Sequence, residues 1–314
     1  MSRHLPVAIA LEGYGWHPEA WRHTPDRDSV LCGPYWEALA GTAERGLLDF
    51  ITFDDGLAPQ RRRRPEIDPR WLAGRPDAVL VASRVAPTTE HIGLIPVANV
   101  THTAPSQLGR AIAVLDVVSH GRAGWQPRIS ASPQEAALFG RRADVAADPF
   151  DGAADAVEQA RALWRAEPVS PQGQPVVAVL AHNRRVYEFA SGSADLVFIT
   201  PADDDGVRTI LDDVADVGGA RLRIYADLFV SSTALVDARS DAYAFSGGAA
   251  ELVDLMVRWN KLGINGFRLR PSVAAIDLPW IVDEVVPLLQ SAGRFRDTYR
   301  PDETLRSRLE VIGS

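Results

Sequence analysis

Eight short apolar runs recur along the chain, and segments of helical period separate most of them. The runs are Pro6–Leu11, Asp49–Phe53, Ile92–Ala98, Gly124–Ser130, Val176–Ala181, Asp195–Thr200, Arg221–Val230 and Ile264–Arg270. Short, nearly continuous apolar runs of this kind read as strands buried on both faces. Buried strands alternating with helices make a parallel sheet covered by helices. Eight of them point to a closed (β/α)8 TIM barrel rather than an open doubly wound sheet. A length of 314 residues is ordinary for one such barrel, so residues 1–314 are expected to form a single domain.

The intervening helices show the matching period. Leu252, Leu255, Met256, Trp259 and Leu262 recur at three- and four-residue spacing, between Ser246 as a candidate N-cap and Gly263 as a stop. Trp259 is therefore assigned to the core rather than to cofactor stacking. A second helix is predicted over Tyr35–Leu47, with Leu39, Ala40, Ala43 and Leu47 inward. A third, over Pro105–Val118, opens on a proline, whose missing N–H costs little in a first turn. Residues 54–76 and 131–150 read as the two long connections.

Several function classes are disfavoured by composition and motif. The formal net charge of -8 argues against an electrostatic grip on nucleic acid or an anionic membrane, because both reward clustered Lys and Arg. The run Arg61–Arg64 reads as a solvated loop. One cysteine, Cys32, excludes an intrachain disulfide and a Cys-based metal cluster. The seven histidines (His4, His17, His23, His91, His102, His120 and His182) form no H-x-x-x-H pair, so no metal site is expected. No stretch approaches the ~20 apolar residues that a membrane span needs, and a cytoplasmic location is expected. There is no G-x-S-x-G nucleophile elbow, no P-loop and no G-x-G-x-x-G after a strand.

In a barrel of this kind the chemistry sits at the C-terminal ends of the strands. Asp55, just past the second run, can accept hydrogen bonds from a polar ring edge; its plain alternative is a helix or loop cap. His182-Asn183-Arg184-Arg185 follows the fifth run and opens a helical segment, Val186–Ser191, which makes a candidate anion site of backbone N–H groups and guanidinium groups. The alternative is a solvated turn. Trp16 and His17 follow the first run and offer an apolar wall and a hydrogen-bond donor to a substrate. His17 and His182 are the candidate catalytic acid or base, because imidazole titrates near neutrality.

These blocks resemble a known family. Gly15-Trp-His-Pro-Glu-Ala-Trp-Arg-His23, Ala43-Glu-Arg-Gly-Leu-Leu-Asp49, Asp55-Gly56, His91-Ile-Gly-Leu94 and Leu115-Asp-Val-Val-Ser-His-Gly-Arg-Ala-Gly-Trp125 are similar to the bacterial-luciferase-like flavin-dependent monooxygenases, in the nitrilotriacetate and sulfur-compound branch. Pro171-Gln-Gly-Gln-Pro175 and the tail around Val285–Gln290, Gly293–Arg296 and Thr304–Arg306 extend the likeness across almost the whole chain. The resemblance implies a barrel that holds reduced FMN, supplied by a separate flavin reductase, and oxygenates a small organic substrate, commonly as a homodimer. Asp55 matches the family's ring-contacting aspartate.

Other flavin-facing positions depart from the family pattern. Val97 stands near the family's hydroxyl residue, with Asn99 or Thr101 as substitutes. Gln126, followed by Pro127, stands at the family's Asn, and Ala146-Ala-Asp-Pro-Phe150 replaces its His-Asp-x-Arg-Tyr segment. Leu180-Ala-His-Asn183 replaces its serine-containing phosphate turn, so His182, Asn183 and Arg184 become the candidate phosphate ligands. Only Arg165–Ser170 separate Trp164 from the Pro-Gln-Gly block, where the family has a longer segment, which implies a more open mouth. Two alternatives accompany these departures. One is a deazaflavin-dependent oxidoreductase. The other is a barrel that has lost flavin and acts as a flavin-independent enzyme, a small-molecule binder or a partner subunit.

Overall fold

A computed structural model describes residues 4–24, 29–56, 75–130, 133–138 and 149–311. The strands are β1 Val7–Leu11, β2 Phe50–Phe53, β3 Gly93–Asn99, β4 Gly124–Arg128, β5 Val176–Ala181, β6 Leu196–Ile199, β7 Arg223–Ser231, β8 Tyr243–Ser246 and β9 Gly266–Pro271. The helices are α1 Gly33–Arg45, α2 Ala78–Val85, α3 Pro105–Val118, α4 Pro133–Leu138, α5 Pro149–Ala166, α6 Arg184–Ser193, α7 Asp204–Asp216, α8 Ala249–Leu262, α9 Ala274–Trp280, α10 Val286–Ser291 and α11 Leu305–Arg308.

Every strand pairing is parallel, and β1 through β7 followed by β9 form a closed ring of eight. All eight runs read from the sequence are the eight barrel strands. The sequence reading did not include β8, which pairs with the upper half of β7, from Leu228↔Tyr243 to Ser231↔Ser246. Ser246 therefore ends a strand and is not a helix cap. Gly248 takes the N-cap position of α8, and the Glu251 carboxylate accepts from the Gly248 N–H at 2.9 Å. The helix starts also move: α1 begins at Gly33 and α6 at Arg184, each earlier than the apolar period alone indicates. Leu47, expected inward, is half-buried in a left-handed turn with φ 58° beyond α1. The run Arg61–Arg64 and residues 146–148 lie outside the described residues. Among the described residues no helix is long and apolar enough to cross a membrane.

Two apolar layers follow from the two faces of the strands. The outer one lies between strands and helices and includes Leu252, Leu255, Met256 and Trp259, all buried as the helical period requires. The inner one fills the lower barrel with Ala8, Phe50, Ile95, Val176, Ala178, Leu196, Phe198 and Tyr225, and Leu305 of α11 and Leu309 just after it close the base. Gly266 has a specific part here: a Cβ on it would stand 2.6 Å from the Tyr225 ring, so only glycine leaves room for that phenol.

Above this apolar filling the barrel turns polar. Residues on β9 alternate between faces, so Gly266, Arg268 and Arg270 all point inward. Asp227 on β7 is the register partner of Arg268. Arg268 donates to Asp227 from Nε at 2.7 Å and from Nη2 at 2.5 Å, and to Gln126 Oε1 from Nη1 at 2.9 Å. Its guanidinium lies 3.6 Å above the Phe198 ring. Arg270 also donates to Asp227, from Nε at 2.8 Å and from Nη2. All three side chains are essentially excluded from solvent, at 0 to 2 % exposure.

Removing one member of a buried ion cluster leaves the others charged and uncompensated, at a typical cost of about 3–5 kcal/mol. Asp227→Ala is therefore expected to lower the unfolding free energy obtained from a urea titration by an amount of about that size, seen as a lower midpoint. A midpoint unchanged from wild type would show that the two arginines do not depend on this carboxylate.

Candidate active site at the barrel mouth

The loop after β1 folds over the C-terminal ends of β1 and β9. Trp16 N–H donates to Pro271 O at 2.9 Å and His17 N–H to Ser272 O at 3.0 Å. The Trp16 indole N–H is bound to Ala10 O at 2.8 Å, and the Arg270 guanidinium lies 4.5 Å from its ring centre. His17 Nδ1 accepts from the Glu19 N–H at 3.1 Å.

Asp55 lies just beyond β2, against the N-terminus of α2, where it accepts a long 3.4 Å contact from the Ala78 N–H. Asp77, not Asp55, is the N-cap of that helix, accepting from Leu80 N–H at 2.9 Å. The Asp55 carboxyl is pushed up to about 6, first by loss of solvent and then by the negative charges of Asp77 and Asp54, against the Ala78 and Gly56 N–H groups. Asn99 ends β3 with its side-chain oxygen accepting from Thr101 N–H at 2.9 Å and His102 N–H at 3.0 Å. Gln126 is buried, its oxygen held by Arg268. The β4–β5 ladder stops at Trp125↔Val177, before Pro127, which has no N–H to offer.

The turn after β5 is engaged by carboxylates. His182 Nδ1 lies 2.9 Å from Thr200 Oγ1 and its Nε2 3.4 Å from Asp241 Oδ2. Asn183 caps α6, its side-chain oxygen accepting from Val186 N–H at 3.2 Å. Arg184 lies 3.8 Å from Glu188, 4.0 Å from Asp213 and 3.9 Å from Asp216. Arg185 donates to Asp151 at 2.9 Å.

The structure thus joins Gln126, Trp16 and His182 through residues that the sequence reading missed: Arg268, Asp227, Arg270 and Asp241. Arg270 Nη1 donates to Asp241 Oδ1 at 2.6 Å, and so connects the barrel interior to the rim at His182. A signal for this existed, because two arginines at alternate positions of a buried strand require a buried acid opposite them. Asp55 and Asn99 stand apart from that chain, near a second polar cluster. There Arg128 donates to the Asp55 carbonyl and lies 3.6 Å from Glu135, while Arg75 joins Glu12 and lies 3.0 Å from Asp54. Among the described residues no group of three His, Cys, Asp or Glu is placed to hold a metal.

Comparison with known proteins agrees with this architecture. The sequence model of the luciferase-like monooxygenases matches residues 35–263. The chain belongs to that family. This luciferase-like chain is 28% identical over 223 residues to the dibenzothiophene-sulfone monooxygenase of Rhodococcus erythropolis, covering 57% of the chain and 49% of the relative. It is 32% identical over 174 residues to nitrilotriacetate monooxygenase component A of Aminobacter aminovorans, covering 52% of the chain and 38% of the relative. The crystal structure of long-chain alkane monooxygenase (LadA) superposes with a TM-score of 0.82 at 20% identity, covering 100% of this chain and 97% of that one. The alignments with the first curated relatives span about half of those proteins' length.

The raised Asp55 carboxyl has a consequence with a definite sign. Its folded value of about 6 lies above the ordinary carboxylate value, so the native state holds the proton more tightly than the unfolded chain. Its contribution to stability is fully present below the unfolded value and is lost as pH rises through about 6. Asp55→Asn, which mimics the protonated form, is expected to be more thermostable than wild type at neutral pH and to lose that advantage in acid. Melting curves across this range check it, and an advantage independent of pH would contradict the assignment.

Proposed function

We propose that this luciferase-like barrel is an FMN-dependent monooxygenase or oxidoreductase, working on reduced flavin from a separate reductase and acting on a small organic substrate. The observation that carries the reading is Asp55. It is a half-buried carboxyl at the mouth end of β2 that meets the Ala78 N–H only at a long 3.4 Å and the N–H of its neighbour Gly56, so acceptor capacity is left for a ring N–H.

The ring end of the site fits a flavin. Asp55 can accept from the ring, the Gln126 amide N–H groups are left to donate while its oxygen is pinned by Arg268, and Trp16, backed by Arg270, supplies a flat wall. Asn99 contributes its amide N–H groups, its oxygen being spent on the turn. The phosphate end fits on one condition. Arg184 must exchange its carboxylate neighbours for the phosphate, and such exposed pairs are worth about 0–1 kcal/mol each, so the exchange is inexpensive. Asn183 and the N–H groups that open α6 would complete that end, with His182 beside it. Bound reduced flavin supplies the oxygen-activating chemistry; the protein's own task is to seat the ring, limit water and orient the substrate.

We also propose a homodimer. α2 and α3 pack together and leave Leu80, Val114, Val117 and Val118 exposed, at 69%, 61%, 41% and 46%. Exposed apolar side chains gathered on neighbouring helices favour burial against a second copy.

Anaerobic calorimetric titration with FMN in both redox states tests the cofactor, with a deazaflavin as the comparison arm. Reduced FMN is expected to bind saturably, and Asp55→Ala to weaken it about tenfold, the factor that ~1.4 kcal/mol represents. A folded protein that takes up no FMN in either state would overturn the reading, and tight deazaflavin binding would replace it. For the assembly, sedimentation should give twice the chain mass for wild type and the chain mass for the Leu80→Asp, Val114→Asp double variant. A monomeric wild type would reject the dimer.

A further inference from the structure

His182 stands at the rim with both ring nitrogens engaged, and the groups that engage them come from different parts of the barrel. Thr200, just past β6, meets Nδ1 at 2.9 Å. Asp241, ahead of β8, faces Nε2 at 3.4 Å. Asp241 is itself fixed: its other oxygen accepts from Arg270 Nη1 at 2.6 Å, and Arg270 is held by Asp227 in the barrel interior. Burial alone would raise the Asp241 carboxyl, but the charge and hydrogen bond of Arg270, with His182 after them, hold it below the usual range. An ionised carboxylate only accepts. A lone pair on Nε2 facing it would be repelled, whereas an N–H there is attracted. With the proton on Nε2, a neutral ring has its lone pair on Nδ1, where the Thr200 hydroxyl donates to it.

We propose that Asp241 is a positioning residue for His182, holding the neutral ring in its Nε2–H form with Nδ1 closed off by Thr200, and that Arg270 holds Asp241 in place. In this arrangement His182 has no free lone pair to offer the mouth. It serves the site as a fixed polar wall rather than as a general base. The inference rests on the proposed function only for what the wall would face; the arrangement of the ring requires no flavin.

The test is made on the whole protein without cofactor. Long-range proton–nitrogen correlation spectra of 15N-histidine-labelled protein, recorded about two pH units above the ordinary imidazole value of ~6.5, report the tautomer; His182→Gln assigns the signal. Wild type is expected to show the Nε2–H form alone. Carbethoxylation by diethyl pyrocarbonate, followed by peptide mass spectrometry, then reads access to a lone pair, with the exposed His120 of the same molecule as the internal standard. His182 is expected to react about tenfold more slowly than His120. Thr200→Val, which frees Nδ1 while Asp241 still holds the ring, and the isosteric Asp241→Asn should each bring the two rates together. Asp241→Glu should keep His182 protected, a rescue that a purely space-filling role for Asp241 would not produce. An Nδ1–H tautomer in wild type, or a His182 rate that neither variant changes, would overturn the proposal. If FMN fails to bind while these results hold, the functional reading falls and the positioning stands. The reverse pattern removes the positioning alone.

Discussion

One carboxylate, Asp227, bridges two arginines inside the barrel, with Asp241 at the rim supplying the second negative charge, and much of the upper barrel is arranged around that contact. Arginine stays charged under any ordinary condition, so Arg268 and Arg270 cannot shed their charge on burial and must be paired. Asp227 meets both. The remaining donors are taken up by Gln126 below and Asp241 at the rim, and the flat guanidinium faces lie against Phe198 and Trp16. Four strands and two loops are thereby joined by contacts in which each partner satisfies another.

This arrangement explains why the mouth divides into two regions. On one side, Trp16, Gln126 and His182 are fixed by the arginine chain and have little freedom to rearrange around a ligand. On the other, Asp54 and Asp55 share a partly desolvated space with Glu12, Arg75 and Arg128. The first region provides shape. The second provides a carboxyl that titrates near neutrality and retains acceptor capacity. A cofactor ring lying between them would meet a rigid wall on one edge and an adaptable acid on the other, an economical way to orient a planar group.

The departures from the family pattern acquire a physical account here. Gln126, where the resemblance implies an asparagine, reaches Arg268 across the barrel. His182, where the resemblance implies a serine-containing turn, finds Thr200 and Asp241 as partners. The charges after β5 are met by carboxylates from α5, α6 and α7, so this turn is poised for an anion only through exchange at solvent-exposed pairs.

By itself the sequence determined the barrel. Strand burial and helical period are local properties, written in neighbouring residues, and all eight barrel strands were legible from them; the family blocks and the place of Asp55 after β2 were legible in the same way. The short β8 escaped because Tyr243–Ser246 is only four residues long with Phe245 alone buried, and its pairing depends on the edge of β7 that β6 leaves open beyond Ala226. What only the tertiary structure decided is which charges meet. Arg268 finds Asp227 at a separation of 41 residues, Gln126 at 142 and Thr52 at 216. No local pattern encodes such pairs, because closing the barrel is what brings distant strands face to face. The partners of His182, which the sequence offered only as a candidate acid or base and phosphate ligand, were hidden for the same reason: Asp241, opposite its Nε2, reaches it only through the return of the chain across the mouth.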